Sequence, residues 1–262
     1  MRGCTFFVIA LAACGGGSAG SPKKVEPQPL QRTRIPIEEP DDEGPEEGVQ
    51  IQSTKGHMEP AAIDAWLEPN SAALSDCYTS RLGKRRWLGG HVSLHWEIDK
   101  AGQLTSVKLA ESDLGSWPVE KCLLELARGG TFGKPKGGDA DFSIPLDFSA
   151  KGSLLSWDED QALRAVGGQL AVLDECAFPD TAGKKGKAAR RKPNAKKASL
   201  PDDVVVTLYV GPGGKAQSVG FSSAKAPIDD AWAECAAKLA MGWRLTDPRG
   251  VIAKLAIRYR AN

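Results

Sequence analysis

A cysteine-bearing pattern occurs twice in this chain, and that duplication constrains the fold more than any other feature. In the first copy Cys77 ends a helical segment and is followed by a strand of alternating character with Val92, Leu94, Trp96 and Ile98 on one face. A turn at Asp99-Lys100-Ala101-Gly102 leads to a second strand, a helix presents Cys122, and residues 140–148 close the unit. In the second copy Cys176 precedes Val204, Val206, Leu208 and Val210, then the turn Gly211-Pro212-Gly213-Gly214, the helix with Cys235 and a last strand over residues 251–259. From turn glycine to helix cysteine the count is 20 in one copy (102 to 122) and 21 in the other (214 to 235). Such agreement marks a tandem repeat. It predicts an α+β fold of two α-β-β-α-β domains, residues 60–151 and 155–262. Each is expected to be a three-stranded antiparallel sheet of order 2-1-3 with helices on one face, the order following from the crossover through one helix.

The N-terminus supplies an address. Arg2 and the apolar run over residues 6–13 suit a signal peptide and are too short to span a bilayer. Leu11-Ala12-Ala13-Cys14 resembles the bacterial lipobox. That resemblance implies cleavage after residue 13 and lipid on Cys14, enough acyl chains for stable anchoring; a non-lipidated secretory signal is the alternative. Gly15 instead of an aspartate after the cysteine favours the outer membrane, facing the periplasm. With Cys4 removed and Cys14 lipidated, Cys77, Cys122, Cys176 and Cys235 remain, and four cysteines allow three pairings. The repeat selects Cys77 with Cys122 and Cys176 with Cys235. Export is consistent with such bonds.

Charge is segregated, although the net value is only +1 and excludes no partner. Residues 38–47 hold seven carboxylates in ten, within a Pro-rich stretch over residues 14–59 too poor in apolar side chains to pack, expected as a disordered tether. Residues 183–199 form a basic insertion with Lys184, Lys185, Lys187, Arg190, Arg191, Lys192, Lys196 and Lys197. A solvated loop is one reading; attraction to an anionic lipid or polymer is the other. No aromatic platform interleaves these charges, so nucleic acid is not an expected partner.

Within the copies, Pro60 suits a helix start, Pro69 is expected to break that helix, and Asn70 or Ser71 to begin the next. Ser116 is expected to cap the Cys122 helix. Leu163, Val166, Leu170 and Leu173 trace a helix ending at Cys176. Pro145 cannot donate to a ladder, which places its strand at a sheet edge. The strand over residues 104–110 is therefore the expected acceptor for an extended partner peptide.

The first copy resembles the AgmX/PglI C-terminal domain family, whose fold is similar to the C-terminal domain of TonB. Cys77, Gly90, Val92, Gly102, Ser112, Val119, Cys122, Phe132, Pro135, Gly137, Gly138, Pro145 and Phe148 carry the resemblance over about 75 residues. The second copy departs from it at residues 243–248 and in the basic insertion. The resemblance implies a non-catalytic envelope protein with a protein partner, in a TonB-like or gliding-motility-related complex; an anionic-surface-binding spacer and an enzyme of unrecognised site are the alternatives.

Chemistry-bearing residues are sparse. His91 and His95 share a strand face with Glu97, but four residues along a strand separate them by more than about 10 Å, too far for one metal ion. Gly211-Pro212-Gly213-Gly214-Lys215 joins two strands and opens no helix, so it is a hairpin turn, not a phosphate loop. No cofactor and no catalytic residue is implied.

Overall fold

A computed structural model of the chain describes residues 55–178, 198 and 200–260. Cys14, residues 1–13 expected as a signal peptide, the acidic stretch and the eight basic insertion residues lie outside the described residues. Residues Ile51–Asn262 form one compact unit. It is α+β and contains two sheets.

Helix α1 spans Pro60–Leu82 and turns Trp66, Leu74, Cys77 and Tyr78 inward. Pro69 lies inside it, so the expected break does not occur. A proline takes the donor from the carbonyl one turn earlier, here that of Ala65, and next to it Asn70 Nδ2 donates to Trp66 O at 2.7 Å and Ser71 Oγ to Glu68 O at 2.8 Å. The residues expected to cap a new helix bond back onto the helix they continue.

Strands β1 (Gly90–Ile98), β2 (Leu104–Ser112) and β3 (Ala140–Phe148) form an antiparallel sheet of order β2-β1-β3. The alternation in β1 buries Val92, Leu94, Trp96 and Ile98. Trp96 packs edge-on to Trp66 and stacks on Phe142, and its indole N–H donates to Ala127 O at 3.0 Å. Helix α2, Trp117–Arg128, crosses the same face. Ser116 precedes it but gives no side-chain cap; its Oγ is buried without a partner, and its carbonyl accepts from Glu120 N at 2.9 Å.

The second half begins with a two-residue strand, β4 (Leu155–Ser156), and helix α3 (Glu159–Val166). Asp158 and Gln161 form a reciprocal capping box at its start. The expected helix to Cys176 stops early, because Gly167 takes φ 55° and the chain tightens into a 3-10 segment, Gly167–Ala177. Leu163, expected inside, is consequently 50% exposed. Strands β5 (Val204–Gly211) and β6 (Lys215–Ser222), helix α4 (Asp230–Ala240) and strand β7 (Ala253–Tyr259) complete the fold. The second sheet has four strands, β4-β7-β5-β6, where three were expected, since β4 adds in parallel to β7. Val251, expected in the last strand's core, is 44% exposed ahead of it.

Cys77 is bonded to Cys122 and Cys176 to Cys235, so each bond ties two helices of the same half. For the separation of 45 residues between Cys77 and Cys122, chain entropy gives about 4 kcal/mol of stabilisation. Replacing both by serine should lower the urea-unfolding free energy by about that amount without moving the second bond, measured by denaturation of the oxidised variant and peptide mapping of the remaining disulfide.

Candidate functional site

The halves meet face to edge. Strand β5 reads Val-Val-Val-Thr-Leu-Tyr-Val with hardly any alternation, and it is buried on both faces except at Val205. Helices cover the side carrying Val206, Leu208 and Val210. On the other side lies the turn between β2 and α2. Thr207 Oγ1 and Ser222 Oγ donate to Ser112 O at 3.3 and 3.4 Å, and Ser218 Oγ donates to Gly115 O at 2.7 Å. Tyr209 OH donates to Gly89 O at 2.7 Å while its ring packs 4.8 Å from that of Trp87. Lys254 Nζ reaches Asp113 Oδ2 at 3.0 Å. Helices α2 and α4 add Arg128 to Asp230 in a two-pronged contact of 2.6 and 2.8 Å, and Lys121 to Glu234.

At the centre is a carboxylate. Glu120 is fully buried; its Oε1 accepts from Ser112 Oγ at 2.7 Å and its Oε2 from Phe221 N at 2.9 Å. Gly220 lies against it so closely that a Cβ there would fall on both carboxylate oxygens. Burial raises the Glu120 pKa to about 7, opposed by hydrogen bonds from Ser112, Phe221, Ser116 and Gly115. Sequence reasoning passed over this residue. Counting back two from the paired helix cysteines places Glu120 opposite Ala233, and that mismatch between the copies was the available signal.

This junction occupies the strand expected to receive a partner. Leu109 O accepts from Ser223 N at 2.9 Å, and Val107, Lys108 and Leu109 are buried. The edge of β2 is therefore closed by the second half. Strand β3 is an edge, as Pro145 indicated. Pro145 pairs with Ser93, and the neighbouring β1 residue His91 exchanges its backbone bonds on the β2 side. Ser93 faces the same way in the alternation, so the Pro145 nitrogen points outward, where an added strand would need a donor. The outer edge of β7 differs. Leu155 N donates to Ile252 O and Trp157 N to Lys254 O, so even-numbered residues face outward and Ala256 and Arg258 continue that row. Among the described residues β7 is paired on this side only at Ala253 and Lys254.

Beside β4 lies a groove of about 530 Å³. Leu155 and Trp157 line it from the β4 side, Gln161 and Arg164 from α3, and Asp247 and Arg249 from the loop before β7. Arg249 holds φ 59°, the one positive value at a non-glycine position among the described residues, and its N–H donates to Asp247 Oδ1 at 2.9 Å.

The histidines stand apart on the outer face of β1. His91 Nδ1 lies 3.0 Å from Asp147 and His95 Nδ1 2.9 Å from Ser143. Desolvation, then the Lys108 charge, lowers the His95 pKa. Among the described residues no group of three or more His, Cys, Asp or Glu could hold a metal ion, and no helix is long and apolar enough to cross a membrane. No family model, curated protein or solved structure matches the chain.

Because the Glu120 pKa is raised on folding, the native state binds the proton more tightly than the unfolded chain. This contribution is complete below about pH 4.5 and is lost as pH rises to about 7. In urea titrations, Glu120→Gln should flatten the pH dependence over that window and exceed the wild type in stability at pH 8. A slope unchanged by the substitution would assign the dependence to other groups.

Proposed function

We propose that the chain is a non-catalytic envelope lipoprotein, anchored through Cys14 and held towards the periplasm, whose folded part is a protein-binding scaffold made by duplication of an AgmX/PglI-like, TonB-like unit. The observation that carries this reading is the open outer edge of β7, with Ala256 and Arg258 directing backbone donors and acceptors away from the sheet. An extended partner segment can add there, its backbone hydrogen bonds supplying affinity. The two disulfides support an oxidising compartment. The lipobox supplies the anchor, and the locked junction between halves supplies the rigidity a scaffold uses to hold a partner in fixed register. A role in a TonB-like or gliding-motility-related complex follows from the family resemblance alone. The basic residues of the insertion, Lys184 through Lys197, give a second contact with anionic lipid or polymer.

Ala256 is exposed, and its N–H faces away from β5. Proline there removes an outward donor without breaking a bond to β5. A photo-crosslinker at Arg258 should trap one discrete envelope protein in native cells. Ala256→Pro in the same background should reduce the adduct at least about tenfold with the melting temperature retained. Undiminished crosslinking by the folded variant removes β7 as the acceptor.

A further inference from the structure

The groove beside β4 carries a partner chemistry of its own. Its apolar part is open: Leu155 is 44% exposed and Trp157 is only partly buried, although a large aromatic ring contributes most when fully covered. Its polar part is unbalanced. Arg164 and Arg249 both line the cavity, and neither guanidinium makes a hydrogen bond or ion pair among the described residues. By contrast Arg128, within the junction between the halves, is matched to Asp230 at both prongs. The carboxylate lining the groove, Asp247, has one oxygen taken by the Arg249 backbone N–H. Arg249 also holds a left-handed conformation that a branched or long side chain adopts only against a steric cost of about 1–2 kcal/mol. Glycine would meet no such cost, so the conformation gives no reason for an arginine there; the guanidinium does.

We infer that this groove is a docking site for an acidic peptide segment of a partner protein, its carboxylates held by Arg164 and Arg249 and an apolar side chain seated against Trp157 and Leu155. Two planar guanidiniums suit carboxylates, which they can grip in a bidentate fork. At about 530 Å³ the recess falls within the range of sites that enclose a few residues of ligand. Gln161 and Thr246 line the same cavity and can meet the backbone of an extended segment. The inference rests on the binding-module reading and adds to it the sign and shape of what is bound.

The test uses the full chain in mild detergent and a fluorescein-labelled peptide, Leu-Glu-Leu-Asp-Leu, against its uncharged counterpart Leu-Gln-Leu-Asn-Leu with an amidated end. Fluorescence polarisation should show the acidic peptide binding at least about tenfold tighter than the counterpart. Arg164→Gln combined with Arg249→Gly should abolish that preference while leaving the counterpart's weak binding in place. The melting temperature should hold, because glycine accepts φ 59° freely. Trp157→Ala should weaken both peptides. Equal affinity for the two peptides, or acidic binding untouched in the double variant, overturns the inference. So does the case in which neither peptide binds but the double variant loses retention on phosphatidylglycerol vesicles, which would make the arginines a membrane contact. If the Arg258 adduct persists in the double variant after such a failure, the scaffold reading stands without this groove; the scaffold reading falls only if the wild-type chain gives no adduct either.

Discussion

The turn between β2 and α2, laid across the outer face of the second sheet, is the contact on which the rest of the molecule depends. A sheet of four short strands with one face to water is marginal, and the second half avoids that state by burying Thr207, Tyr209, Ser218 and Ser222 under the first. Each of those hydroxyls donates to a carbonyl of the first half, so the buried polar groups are satisfied across the junction and nowhere else. Glu120 completes the set, accepting Phe221 N from the second half and Ser112 Oγ from its own. Such a junction is specific: it can be made in one register, and Gly220 admits no side chain that would let it slide.

From this follows what remains outside. The junction closes β2 and Pro145 spoils β3 as a donor edge, whereas β7 keeps a row of outward backbone groups beyond β4. The disulfides act within each half, tying α1 to α2 and the 3-10 segment to α4, and so hold the layers that the junction then presses together. The groove is built where the second half departs from the first. Strand β4 pairs in parallel with β7, where the segment ahead of α1 makes only an isolated antiparallel bridge, His57 to Lys136, ahead of β3.

Much of the first half could be read in advance because its residues alternate cleanly. His91 to Ile98 gives one buried and one wet face, the turn ending in Gly102 sets the hairpin, and Pro145 marks the edge. The second half was harder, for physical reasons. Its strand β5 is apolar on both sides, the mark of a strand covered twice, but residues 204–210 resemble any strongly hydrophobic strand until the cover is known. A two-residue strand such as β4 has no periodicity to detect, and Gly167 diverts a helix whose apolar spacing continues past it. Pro69 misled in the opposite direction, because a proline removes a single donor from the ladder and the helix runs through it from Pro60 to Leu82. The groove's arginines gave no signal in one dimension: Arg164 and Arg249 are 85 positions apart (249 − 164) and are brought together only by the pairing of β4 with β7.

Pro145 has one more effect, on how copies of the chain can associate. Growth by strand-to-strand pairing requires two competent borders per molecule, one to receive and one to offer. Among the described residues the β2 border is consumed internally and the β3 border lacks the Pro145 N–H, so neither offers a second copy an unbroken row. Both borders of the first sheet are thereby blunted against strand-to-strand growth.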